Sequence, residues 1–285
     1  MAAKVNRTAP RVSDFKRKKH RILGQHFLTS PGVLGKILDV IDPGESDLVV
    51  EIGAGKGVLT FPLAERSGRV VAVEKDPRLI PPLEEKRLPN LVILAADILD
   101  TSFRKLVERY SGSAREAKLV GNLPYSISSP ILFKVIDEGE VFTKCIFLVQ
   151  KEVAQRITAK PGSKDFAPVS ILLQLEYDAV LHFKVAPGSF SPPPRVESAL
   201  VSLTRRAAPR YPVRDRGLFL DFLRTAFRQR RKTLENNLAA SGRPRGLIRQ
   251  ALQALALGEK SRPEQLSIEQ FVRLFEFFDP APPQI

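Results

Sequence analysis

Residues 122–125 read Asn-Leu-Pro-Tyr and follow Lys118-Leu119-Val120-Gly121, a run that reads as the end of a buried strand. The tetrapeptide brings together a side-chain amide, a backbone carbonyl held by a proline, and an aromatic ring. That set suits holding a flat nucleobase by its exocyclic amine. The amide oxygen of Asn122 and the carbonyl of Leu123 can accept hydrogen bonds from an amino group. Pro124 fixes its own φ, restricts Leu123 and has no N–H to donate. Tyr125 offers a face for stacking, a common way to hold a flipped base. Asn122, Leu123, Pro124 and Tyr125 are therefore the candidate catalytic residues. The blander reading of four residues alone is a strand-to-helix turn capped by Asn, and the rest of the chain weighs against it.

A second constellation lies upstream in Glu51-Ile52-Gly53-Ala54-Gly55-Lys56-Gly57. Gly53 and Gly55 let the backbone turn tightly and let a ligand lie against it at the open end of a sheet. Glu74 follows 21 residues after Gly53, at the end of the next strand, where a carboxylate accepts from ribose hydroxyls. Asp97 ends the third strand and is placed to accept from an adenine amine. The glycine spacing is neither the dinucleotide fingerprint nor a phosphate loop. Three carboxylates at successive strand ends suit a nucleoside with a cationic centre better than a polyanion, and S-adenosylmethionine is such a ligand. Taken singly, each carboxylate reads equally well as a solvated strand-end cap. Glu51 is left open between the amino-acid end of that ligand and a helix cap.

The elements that must position these residues alternate. Leu48–Ile52, Val70–Glu74, Leu91–Ala95, Lys118–Asn122 and Lys144–Gln150 are short apolar runs, as expected for strands covered on both faces. Helical patterns fall near 57–66, 77–87, 102–110, 128–138 and 151–159. The expected fold is α/β, a doubly wound parallel sheet of the class I (Rossmann-like) kind. Tyr177–Val185 and Glu197–Thr204 read as strands that close the sheet, flanking a Pro-rich loop that contains Phe190. Beyond Pro209 and Pro212 come helical patterns near 215–229, 230–240, 245–257 and 267–278, a small C-terminal α-helical domain. The expected division is a basic arm over 1–24, a sheet domain over 25–205 and a helical domain over 206–285.

The 285 residues carry a net charge of +14, placed in two blocks. Residues 1–24 hold eight Lys/Arg against one Asp, and 205–262 hold fifteen against four acids, so the remainder sums to −4. Basic ends on a near-neutral body point to a polyanionic partner, nucleic acid above all. The chain has no Trp and no long amphipathic stretch with an aromatic face, which disfavours a membrane surface. The lone Cys145 sits in an apolar run, and three scattered histidines make a metal centre improbable. No run reaches membrane-spanning length, and no signal segment follows Met1. The expected setting is cytoplasmic and the expected state monomeric.

Together these segments resemble the ribosomal RNA adenine-N6,N6-dimethyltransferases, nearest to the bacterial small-subunit (16S) branch. The resemblance rests on Gly24-Gln25-His26-Phe27-Leu28, Glu51–Gly57, Val73–Asp76, Asp97, Asn122–Tyr125 with Ile127-Ser128, Leu148–Val153, Phe190–Val196 with Ser198-Ala199, and Phe227–Leu234. It implies two methyl transfers to each of two adjacent adenines near the 3′ end of that RNA, on an immature 30S particle. It also implies cofactor contacts at His26, Leu28, Gly53, Glu74, Asp97 and Asn122. His26 stands where the family usually has Asn, and Ser126 where bacterial members often have Asn.

On this reading Asn122 and Leu123 hold the adenine amine so that its lone pair faces the methyl sulfonium, while Tyr125 and Phe190 stack the base from either side. Phe190 in its Pro-rich loop also reads as a packing anchor. Arg228, Arg230, Arg231 and Lys232 form a dense run for phosphate contacts. Large-subunit RNA as substrate, and an assembly factor without activity, are the competing readings. The glycine spacing disfavours a nicotinamide oxidoreductase.

Overall fold

The apolar runs become strands because alternate residues feed two separate cores. Leu48, Val50 and Ile52 pack on one face with Val71, Val73 and Leu119. Val49 packs on the other with Val70, Ala72 and Val120. Side chains that alternate across a pleated strand must be apolar on both sides when helices cover both faces.

A computed structural model describes residues 25–279. The basic arm over 1–24 lies outside the described residues. In chain order the elements are β1 (Phe27–Leu28), α1 (Pro31–Ile41), β2 (Asp47–Ile52), α2 (Thr60–Ala64), β3 (Arg69–Glu74), α3 (Ile80–Glu84), β4 (Leu91–Ala95), α4 (Phe103–Tyr110), β5 (Glu116–Asn122), α5 (Ser128–Glu138), β6 (Lys144–Gln150), α6 (Lys151–Ile157), α7 (Pro168–Glu176), β7 (Tyr177–Val185), β8 (Phe190–Ser191) and β9 (Ser198–Arg205). Four helices follow: α8 (Arg216–Ala226), α9 (Leu234–Ala239), α10 (Arg245–Ala254) and α11 (Ile268–Phe278). The main sheet runs β4-β3-β2-β5-β6-β9-β7. Its first five strands are parallel, and β9 is antiparallel to both neighbours. Strand order reverses between β2 and β5, and an open α/β sheet offers its ligand crevice beyond the carboxyl ends there.

Two helices differ from the sequence reading by addition. α1 begins at Pro31, with the Ser30 hydroxyl accepting from the Val33 N–H, a Ser-Pro start with a mechanism. Its last carbonyls are tied to the sheet: Lys118 Nζ donates to Asp42 O and Lys144 Nζ to Val40 O, each at 2.6 Å. Lys118 also pairs with Asp47 at 2.8 Å. α7 was likewise not anticipated. A second difference is a small two-stranded pairing, β1 with β8, which sets Leu28 opposite Phe190.

The C-terminal helices have no core of their own. Phe219, Leu223, Phe271 and Phe275 belong to the same apolar cluster as Leu119, Phe147 and Leu173 of the sheet body.

Candidate active site

Parity of the strands decides which side chains meet. Glu51, Glu74 and Asn122 follow Val49, Ala72 and Val120 by two residues each, so they lie on the face covered by β1 and α1. Register agrees: Glu51 stands between Ala72 and Val120. Beyond these strand ends is a cavity of about 470 Å³, within the usual range for small-ligand sites. His26, Leu28, Gly53, Gly55, Glu74, Asp97, Asn122, Leu123, Pro124 and Tyr125 all line it. Thus every residue proposed from sequence for the small ligand and for the base, except Phe190, is brought to one place.

Asn122 donates from Nδ2 to the His26 carbonyl at 2.9 Å. That bond fixes the amide orientation and leaves Oδ1 as its acceptor. The helix-cap reading of Asn122 fails, because α5 is preceded by Ile127. Leu123 N–H donates to Leu148 O, binding the tetrapeptide to β6. Pro124 O accepts from Ile127 N–H and from the Ser128 hydroxyl, which turns the chain into α5. The Tyr125 hydroxyl meets Ser198 Oγ at 2.9 Å, and burial pushes its pKa up. His26 sits against the Tyr125 ring with centroids 5.4 Å apart. Its Nδ1 is 2.8 Å from Pro192 O. A carbonyl only accepts, so Nδ1 carries the hydrogen.

Gly53 and Gly55 have φ of +74° and +59°. Gly55 N–H donates to Glu74 Oε2 at 2.9 Å, and a Cβ at Gly55 would lie 3.1 Å from the Phe27 ring. Gly55→Ala is therefore expected to cost about 1–2 kcal/mol from left-handed backbone alone. Thermal unfolding checks this against Gly35→Ala, where nothing lies within 4 Å.

Glu74 uses its other oxygen to accept from Asp76 N–H, while Asp97 accepts from Leu99 N–H and pairs with Lys75 at 2.5 Å. The Lys75 hydrogen bond holds the Asp97 carboxyl below the usual range. Glu51 differs: it is 2% exposed, and its Oε2 has no hydrogen-bond partner. Burial pushes its pKa up to about 7, with the Thr60 hydroxyl opposing and the charge of Glu74 adding. Below pH 4.5 Glu51 is protonated in both folded and unfolded chains. As pH rises from there to about 7 the unfolded chain ionises first, so folding loses about 1.4 kcal/mol per unit and about 3 kcal/mol in all. Glu51→Gln should abolish that loss, giving a variant more stable than wild type at pH 8 and not at pH 4. Denaturant melts at the two pH values decide it.

Phe190 corrects the sequence reading. It is 4% exposed, lies in the core with Leu28 and Ile37, and does not line the cavity. The β1–β8 pairing turns it inward, so it is the packing anchor and not a stacking face. The basic run is also placed differently. Arg228, Arg230, Arg231 and Lys232 stand exposed in the turn between α8 and α9, not on a helix. Asn237, 2% exposed, pins that turn by exchanging hydrogen bonds of 3.1 Å with Gln229 N–H and O. Among the described residues Arg228, Arg231 and Lys232 make no ion pair. By contrast Arg214, Arg216, Arg224, Arg245, Arg249 and Arg273 are all paired. Arg230 donates to Lys164 O and Leu234 N–H to Ser261 O, so exposed Lys164 and Lys260 border the same surface.

A comparison with family models matches residues 16–280 to the ribosomal RNA adenine dimethylases. The chain belongs to that family. Among its relatives is a protein named ribosomal RNA small subunit methyltransferase A from Geobacter sulfurreducens, 40% identical over 261 residues, 90% of this chain and 94% of that one. One of the same name from Halothermothrix orenii is 35% identical over 92% of this chain and 89% of its own. Among solved structures, a dimethyladenosine transferase from Plasmodium falciparum superposes with a TM-score of 0.76 at 26% identity, covering 89% of this chain and 98% of that one. The 23S rRNA methyltransferase ErmE gives 0.69 at 26% identity, with 89% and 99% covered. This dimethylase uses S-adenosylmethionine. The cavity fits that cofactor on its own chemistry. Two buried acceptors, Gln25 Oε1 and Glu51 Oε2, have no partner among the described residues, and ionised Asp97 stands at the rim.

Sequence reasoning passed over Gln25, Ile37 and Ile41 as cavity residues. The Ser30-Pro31 start was a usable signal for the helix that carries the last two. No helix of the described residues is long and apolar enough to cross a membrane.

Proposed function

We propose that the chain transfers methyl groups to N6 of two adjacent adenines near the 3′ end of small-subunit ribosomal RNA, on an immature 30S particle in the cytoplasm, as a monomer. The observation that carries the chemistry is the Asn122 amide, tied through Nδ2 to His26 O so that Oδ1 is left to accept. Relatives named for the small subunit at 35–40% identity, against 26% for the 23S enzyme, support the choice of RNA.

S-adenosylmethionine supplies an electrophilic methyl group on a sulfonium. Asn122 Oδ1 and Leu123 O accept the two amine hydrogens and hold the nitrogen lone pair toward that methyl. Positioning of this kind accounts for much of the rate in a displacement that needs no general base, because the alkylated nitrogen is itself acidic. After one transfer, one acceptor must release its hydrogen for the second. Tyr125, held by Ser198 and backed by His26, supplies the stacking face. Glu74 accepts from the ribose hydroxyls, Asp97 from the cofactor adenine, and His26, Leu28, Gly53 and Gly55 shape the rest. Residues 206–285 form the RNA-binding part, with Arg228, Arg230, Arg231 and Lys232 on phosphates. Fragment mapping of the methylated product tests the position: two adjacent dimethyladenosines in the 3′-terminal fragment are expected, and label elsewhere in the RNA contradicts it.

A further inference from the structure

Glu51 is the one group of the cavity whose charge the described protein leaves unmatched. The other titratable side chains that line it are His26, Lys56, Glu74, Lys75, Asp76, Asp97 and Tyr125, whose hydroxyl is held by Ser198. Lys75 pairs with Asp97, and Asp76 with Arg78. Both oxygens of Glu74 are held by backbone N–H groups of Gly55 and Asp76. Lys56 lies over the Phe27 ring at 5.0 Å. Glu51 meets none of these cations. It stands at the end of β2 between Ala72 and Val120, with the Thr60 hydroxyl and the Glu74 carboxylate as its polar neighbours. A carboxyl so buried, without a cationic partner and beside a like charge, keeps its proton.

We propose that Glu51 registers the positive charge of the cofactor: protonated in the free protein, it ionises against the ligand's cationic amino-acid end and releases its proton as the ligand binds. The inference rests on S-adenosylmethionine being the cofactor, and concerns only how this chain receives it. Glu51 then favours ligands that bring a cation over nucleosides that do not. It also ties affinity to pH, because binding is strengthened as the proton is lost to solvent. The raised pKa of Glu51 places this exchange near neutrality.

Titration calorimetry in buffers of different ionisation enthalpy counts the proton. At pH 6 the ligand's own α-amino group is already charged, so it adds little to the count. Wild type binding S-adenosylmethionine should release about 0.9 proton at pH 6, and the count should fall as pH approaches about 7, where Glu51 is already partly ionised and the ligand's amine begins to take up protons on binding. 5′-Methylthioadenosine, which lacks both ammonium and sulfonium, should release none. S-adenosylhomocysteine keeps the ammonium and loses the sulfonium, so it should release the same proton, and its failure to do so would contradict the assignment to the amino-acid end. Glu51→Gln should bind S-adenosylmethionine without proton release and lose its preference over methylthioadenosine by about tenfold or more. A cooperative melt of Glu51→Gln excludes misfolding as the cause. Binding without proton release in wild type, or equal release in Glu51→Gln or with methylthioadenosine, overturns the proposal. Failure of wild type to bind S-adenosylmethionine at all would instead sink the cofactor assignment.

Discussion

Asn122→Ala is expected to lower kcat for methyl transfer about 10³-fold, the scale on which removing one preorganised polar contact acts in a desolvated site. Affinity for S-adenosylmethionine should stay within about tenfold, because Glu74, Asp97 and the glycine turn remain. Asn122 is placed by three independent features. β5 ends there, its Nδ2 is held by His26 O, and the following Leu123 N–H is held by Leu148 O. A variant lacking the amide keeps the cavity and loses the acceptor. Single-turnover rates alongside equilibrium binding separate the two effects. A fall in cofactor affinity as large as the fall in rate would make Asn122 a binding residue only.

Reversing Arg228, Arg231 and Lys232 together to Glu is expected to weaken binding to small-subunit RNA at least about 100-fold at physiological salt. The slope of log affinity against log salt should flatten by about 2–3 units, roughly 0.7–0.9 for each phosphate contact removed. Arg230 is left in place because it holds Lys164 O. The reasoning is that paired arginines are already neutralised within the protein, and these three are not. The turn is fixed by Asn237 and not by its charges, so the fold should survive. Filter binding across a salt series measures both numbers. An unchanged slope would place the RNA elsewhere.

The parallel strands were legible because both faces are covered, so their apolar runs are uninterrupted. Among them Leu91–Ala95 and Lys144–Gln150 run as read and the others shift by one or two residues, while the antiparallel edge strand Tyr177–Val185 also runs as read. The helices after the glycine turn were harder. α2 and α3 shrink to Thr60–Ala64 and Ile80–Glu84, because Gly57 at φ +79° and the turn through Pro77 delay their starts. The cavity residues were legible from strand ends alone, since parity and register fix where a strand's last side chain points. What sequence could not give depends on distant pairing. Phe190 looked like a stacking ring until β8 was seen to pair with β1, over 160 residues away, and turn it inward. Glu51 was undecided because its burial is set by the cover of β1 and α1, an element the sequence reading lacked. The basic run was read as helical, and Asn237 makes it a turn.

The central claim is methylation of adenine N6 in the small subunit. Nucleoside mass spectrometry tests it most directly, after incubating wild type and S-adenosylmethionine with unmethylated small subunits, unmethylated large subunits and duplex DNA. N6,N6-dimethyladenosine in the small subunits alone is the predicted result. The same product in large subunits, or none in any substrate while small subunits are still bound, would contradict it.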